Sequence, residues 1–139
     1  MILTIILTLG VMGFLGKPID VMMVMLPAIL LIISLSDTIH LINKYDYLLE
    51  YETPYQAISK ATKAIGKANF ITSITTAIGF LGLYFLPIQP IKDFGVFSAL
   101  GILIAFLVTM SVVPALLFFF PSSKRSQDKL QEGINNLTK

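Results

Sequence analysis

The sequence has no cysteine and no tryptophan, a single histidine, and only 13% Asp, Glu, Lys and Arg among its 139 residues. Without cysteine it can form no disulfide and carry no thiol chemistry. Without tryptophan, any aromatic belt at a membrane interface must be built from Tyr and Phe. The shortage of charge is the most informative absence. A soluble domain of this size needs a polar shell, yet 55% of the residues are hydrophobic and the mean hydropathy is +0.83. The apolar residues also fall in long blocks, the signature of membrane-spanning helices. The net charge is only +2, with the basic residues scattered, so no nucleic-acid partner is expected.

Four apolar blocks define an all-α integral membrane fold, with a transmembrane domain over 1–121 and a polar tail over 122–139. The first, about 2–16, is shorter than the ~20 residues a bilayer core of ~30 Å requires. It has no basic segment before it and no small-residue cleavage site after it, so a short or truncated span fits it better than a signal peptide. The second runs over about 19–43 and contains Pro27, expected to kink it. The third covers about 68–86 and the fourth about 94–120, with Pro114 inside. The short turn Pro87-Ile88-Gln89-Pro90 makes these two a hairpin.

Basic residues orient the spans. Lys44, Lys60, Lys63 and Lys67 lie between the second and third, and Lys124, Arg125, Lys129 and Lys139 in the tail; only Lys17 and Lys92 lie in the other turns. The loop 44–67 and the tail are therefore expected in the cytosol. Within that loop, Thr53-Pro54-Tyr55-Gln56 fits a capping box with Pro at the first helical position. Ile58, Ala61 and Ile65 then share one face and Lys60, Lys63 and Lys67 another. That pattern predicts a short amphipathic helix on the membrane surface, or else a solvated helical connector.

Charge inside the membrane is confined to one stretch, SLSDTIHLINKYD, from Ser34 to Asp46. Ser34, Asp37, His40 and Lys44 step by three or four and so make a polar stripe down the second span. With Lys44 at the interface, Asp37 lies roughly 10 Å into the bilayer. An ionised carboxylate there costs about 2.5–3.5 kcal/mol on insertion scales, so such a residue is retained for a function by default. A proton-exchanging carboxyl is one reading; a neutral carboxyl hydrogen-bonded to Thr75 or Thr76 is the other. His40 is open to three: proton relay, electrostatic partner of Asp37, or headgroup contact. These two residues offer only two ligands, so no metal site is expected, and no cofactor. On the third span Thr72, Thr75, Thr76, Gly79 and Gly82 recur on one side, and the fourth carries the small pair Gly101/Ala105. Small and hydroxylated residues allow close helix approach and cross-helix hydrogen bonds.

The order of these segments resembles the membrane domain of the resistance-nodulation-division superfamily, and within it the mycobacterial large membrane-protein exporters and the sterol-sensing domain. SLSDTIHLINKY is similar to that family's fourth helix, the segment from Thr53 to Gly66 to its loop helix, SITTAIGFLGL to its fifth, and DFGVFSALG with VVPALL to its sixth. The resemblance implies that this chain is a fragment, helices three to six of one six-helix repeat. It implies a protonation role for Asp37 with His40 as its partner, and Ser34, Ser36, Thr72, Thr75 and Thr76 are read as the supporting polar face. Relatives with two adjacent acids differ from this chain, which has Ser36 before Asp37. The function so implied is proton-motive-force-driven export of a lipid or other hydrophobic compound across a bacterial inner membrane. The partners implied are membrane lipid, protons, and the remaining half of the transporter or a second copy. A lipid- or sterol-sensing module without transport is the alternative. An intramembrane aspartyl protease, needing two facing carboxylates, is not supported, and no enzymatic activity is expected.

Overall fold

Residues 2–16 and 20–119 are described in the computed structural model, and all regular structure among them is helical. Four α-helices follow one another: α1 (Ile2–Phe14), α2 (Leu26–Leu49), α3 (Pro54–Leu81) and α4 (Gln89–Phe119). A 3-10 helix, Val21–Met25, leads into α2, and another, Gly82–Phe85, closes α3. Joined to these extensions, α2, α3 and α4 make three helical stretches of 29, 32 and 31 residues, long and apolar enough to cross a membrane. At about 1.5 Å per residue each exceeds a ~30 Å hydrocarbon core, so their ends project beyond it. The 13-residue α1 is the short apolar helix that the first block led one to expect.

Local chemistry explains two boundaries that differ from expectation. Pro27 does not kink a helix from within; it sits in the first turn of α2, where its missing N–H breaks no hydrogen bond. Thr53 is the N-cap of α3 and Pro54 its first residue, and the Ala57 amide opens the helical ladder on the Thr53 carbonyl at 2.9 Å. The Thr53 side chain makes no capping bond, so the expected residues stand at the helix start without the Thr53 half of the capping box.

The stretch 44–67 is not a loop carrying a separate surface helix. Its helix continues unbroken into the third span, and Lys44 to Leu49 extend α2, so the turn between them is only 50–53. Packing is the reason. Ala57 and Ala61 are fully buried against Leu41 and Tyr45 of α2, with Ile58, Ile65 and the α4 residues Met110, Val113 and Leu117 around them. The apolar face that could have lain on a bilayer is used to join helices. Lys60, Lys63 and Lys67 stay exposed, and Lys60 pairs with Glu52. The tail 122–139 lies outside the described residues.

α4 touches all three other helices. At one end Met12, Met23, Leu26, Leu30, Phe97 and Ile102 form an apolar cluster; at the other stands the cluster around Leu41, Tyr45, Ala57 and Ala61. In lipid, apolar burial gives little drive for association, so close approach through small residues matters most. On α3 the buried positions Ala57, Ala61, Asn69, Ser73 and Ala77 fall at multiples of four residues. On α4 they include Gly95, Ser98, Ala99, Gly101 and Ala105. A side chain on Gly101 would meet Leu30 at 2.9 Å and Thr8 at 3.1 Å, so α4 approaches α1 and α2 closely at that point, and Ala105 one turn on is buried. Gly79 and Gly82 differ: nothing lies within 4 Å of where their Cβ would stand, because α3 meets its neighbours through Ala77 instead.

These environments give opposite mutational outcomes. Gly79→Ala is expected to leave stability within about 0.5 kcal/mol or to raise it slightly, since it fills open space on a helix. Ala61→Leu, which forces a large side chain between Tyr45 and Leu41, is expected to destabilise by about 1–3 kcal/mol. Denaturant titration of the two variants in micelles checks both.

Candidate functional site

Between the two apolar clusters each long helix turns polar on its buried side. α2 contributes Ser34 and Asp37, α3 Asn69 and Ser73, and α4 Thr109. The buried face of α2 reads Leu30, Ser34, Asp37, Leu41, Tyr45, steps of three and four that keep one side of the helix toward α3 and α4. Asp37 retains 8% of its surface, and its Oδ2 has no hydrogen-bond partner. Unpaired buried carboxyl oxygens are costly, so their persistence points to a ligand, a proton or water that completes them.

Asp37 lines a cleft of about 230 Å³ between α2 and α3, walled also by Ile32, Ile33, Ser36, Thr72, Ser73 and Thr76, with Ile102 from α4 at its back. The threonines are committed in a definite sense. The Thr72 hydroxyl donates to the Ala68 carbonyl at 3.0 Å and the Thr76 hydroxyl to the Thr72 carbonyl at 2.7 Å. Thr38, beside Asp37 on α2, donates likewise to the Ser34 carbonyl at 2.7 Å. Each hydroxyl spends its one proton on its own helix and turns only lone pairs outward. A protonated Asp37 can donate to such acceptors; an ionised one finds no donor among these threonines.

The remaining sequence candidates separate. Ser34 is buried in the polar layer, and Ser36 lines the cleft from an exposed position. Thr75 stands exposed, its hydroxyl shared between the Ile71 and Thr72 carbonyls at 3.0 and 2.9 Å. The polar stripe drawn through Ser34, Asp37, His40 and Lys44 divides after Asp37. His40 lies on the exposed side of α2, still within electrostatic reach of Asp37, and Lys44 stands over the Tyr47 ring at 4.9 Å. As well as Thr109 on α4, the two buried-layer residues of α3, Asn69 and Ser73, escaped the sequence reading. The signal for the α3 pair was the four-residue spacing from Ala57 and Ala61, which is visible only if α3 is taken as one helix. No cluster of three or more His, Asp or Glu able to hold a metal occurs among the described residues.

Comparison with known proteins adds one family match and three relatives. A family model described as the sterol-sensing domain of SREBP cleavage-activation matches residues 1–134. A putative membrane protein of Methanocaldococcus jannaschii is 32% identical over 117 residues, 84% of this chain and 30% of its own length. The sulfolipid-1 exporter of Mycobacterium tuberculosis is 32% identical over 80 residues, covering 57% of this chain and 7% of the exporter. Mouse protein dispatched homolog 3 is 32% identical over 85 residues, 61% of this chain and 6% of that protein. The chain thus spans less than a third of the length of each of these relatives. No solved structure gives a significant match.

Proposed function

The chain belongs to the sterol-sensing domain family and is a multi-pass membrane protein; from that premise we propose that it is the membrane part of a proton-driven lipid exporter, with Asp37 as the protonated group. The observation that carries this reading is the setting of Asp37: a carboxyl in a long apolar helix, nine-tenths buried, with one oxygen unpartnered in a cleft whose threonines accept but do not donate. Such a group changes its fit to the cleft when it gains or loses a proton, and a packed helix layer with two fits is a two-state element. The likeness to a sulfolipid exporter supports a lipid or other hydrophobic substrate. The cleft beside α3 would be completed by further helices of a longer transporter or by a second copy.

Orientation follows from Lys44, Lys60, Lys63 and Lys67, gathered at the end of the bundle opposite Lys92. We place that end in the cytosol of a cell with a proton-motive inner membrane. His40, on the exposed side of α2, is then a modulator of Asp37 rather than its buried partner.

A second reading, a lipid or sterol sensor that moves nothing, is favoured by the family description and by the apolar majority of the cleft wall. An ionophore separates the two. In vesicles holding the full-length protein, collapse of the proton gradient is expected to stop export of labelled lipid. Export that continues without a gradient would remove the proton coupling, whereas no export together with a conformational response to lipid alone would favour the sensor.

A further inference from the structure

The polar layer around Asp37 does not continue to the end of the bundle that carries the α2–α3 turn. The next apolar residues toward that end join one cluster, some of them buried and some partly buried. Leu41 is one helical turn beyond Asp37 and is almost completely buried. Ile65 of α3 and Met110 of α4 pack into the same cluster. Met110 lies against α3 at Gly66, its Sδ being 3.4 Å from where a Cβ would stand. Polar groups then reappear beyond this layer. Tyr45 is wholly buried with its hydroxyl, and Thr62 Oγ1 and Glu52 Oε2 are buried without protein partners. The Thr62 and Glu52 oxygens are of the kind that water ordinarily satisfies. One apolar layer therefore separates two sets of buried polar atoms, Asp37, Asn69 and Ser73 on one side and Tyr45, Thr62 and Glu52 on the other.

We propose that Leu41 and Met110, closing over Gly66, form a water barrier between the Asp37 cleft and the end of the bundle at the α2–α3 turn. The inference rests on Asp37 being a proton-exchanging group, because a carboxyl open to both faces at once would short-circuit a gradient. The barrier is thin, a single layer of side chains, and a small separation of α3 from α4 would remove Met110 from its seat on Gly66. Its position assigns alternate access to the contact of three helices rather than to a loop. Lys44 and Lys67 flank this level but are not part of the seal, since Lys44 is occupied with Tyr47 and Lys67 is exposed.

The absence of native cysteine in the chain makes the test direct. Ser73→Cys places a thiol in the Asp37 cleft, and Lys63→Cys places one at the exposed surface near the α2–α3 turn. A membrane-impermeant charged thiol reagent is added to one face, then the other, of sealed vesicles holding the full-length protein. From the face that labels position 63, position 73 is expected to label at least roughly tenfold more slowly, because local opening must come first. Adding Leu41→Ala with Met110→Ala is expected to raise labelling at 73 from that face about tenfold, whereas Leu30→Ala, a trimming in the other apolar cluster, leaves it unchanged. Equal labelling of 63 and 73 in the untrimmed protein overturns the barrier and needs no destabilised variant. So does an equal rise with Leu30→Ala, or no rise on trimming Leu41 and Met110. None of these readings uses a gradient or a substrate, so a failed barrier is distinguishable from a failed coupling role for Asp37.

Discussion

Asp37→Asn is expected to abolish gradient-driven transport in the full-length protein, lowering the rate by about 100-fold or more, which corresponds to about 2.7 kcal/mol or more of lost coupling. The substitution keeps the shape of the side chain and its place in the cleft with Ser36, Thr72, Ser73 and Thr76, and removes only the ability to ionise. Insertion and folding are therefore expected to survive, because an amide is cheaper to hold in the membrane than a charge. The energies are of matching size. One elementary charge moved through 100 mV releases about 2.3 kcal/mol, and an ionised carboxylate near the bilayer centre costs about 2.5–3.5 kcal/mol. A gradient can thus decide whether Asp37 is charged, and that decision can drive the helices around it. Asp37→Glu, which keeps the acid but lengthens it by one methylene, is expected to retain part of the activity. Transport at the parent rate in Asp37→Asn vesicles would remove the residue from the mechanism.

Gly95→Val is expected to have the largest effect on stability, a loss of about 3 kcal/mol. Gly95 is buried at the start of α4, where α3 turns back through its 3-10 end. A Cβ there would stand 2.5 Å from the Phe80 carbonyl oxygen and 2.9 Å from the Leu83 Cβ. Both obstacles belong to the backbone or the root of a side chain, so no rotamer change relieves them and α4 has to move away from α3. That motion separates Phe80 from Phe94, whose rings pack edge to face at 5.9 Å. Gly95→Ala should lose stability in the same direction and by less. Gly101→Ala should be milder than Gly95→Val, because its neighbours are the flexible ends of Leu30 and Thr8. Unfolding of the purified variants in micelles ranks them; a stable Gly95→Val would mean that α3 and α4 do not meet at this point.

The sequence disclosed most of the fold because membrane helices have no alternative way to satisfy their backbones, and long apolar runs with few charges say so directly. It was less informative about the region 44–67. Lysines at Lys60, Lys63 and Lys67 lower the hydropathy there, so an apolar window ends the third span near Ala68, whereas the helix begins at Pro54. What joins the two halves is the buried series through Ala57, Ala61, Asn69, Ser73 and Ala77, a packing signal that hydropathy does not weigh. The same error hid Asn69 and Ser73, since the small and polar residues of the third span were sought on the side of Thr72, Thr75, Gly79 and Gly82. That side is mostly exposed, its threonine hydroxyls turned onto their own helix. Asp37 was legible for the opposite reason. A carboxylate in an apolar run is so unfavourable that its presence alone marks it, whatever surrounds it. The position of His40 was not legible, because steps of three and of four both count as one face in sequence, and a three-residue step beyond Asp37 turns it away from the face that Leu41, four residues beyond, keeps buried.

The central claim is that Asp37 exchanges a proton within the membrane. Infrared difference spectra of the full-length protein in lipid, recorded as the pH is stepped, test it most directly. The account predicts a protonated-carboxyl band that gains and loses intensity with pH and is absent from the Asp37→Asn protein. A set of pH-dependent carboxyl bands that is the same in the parent and in Asp37→Asn would contradict it.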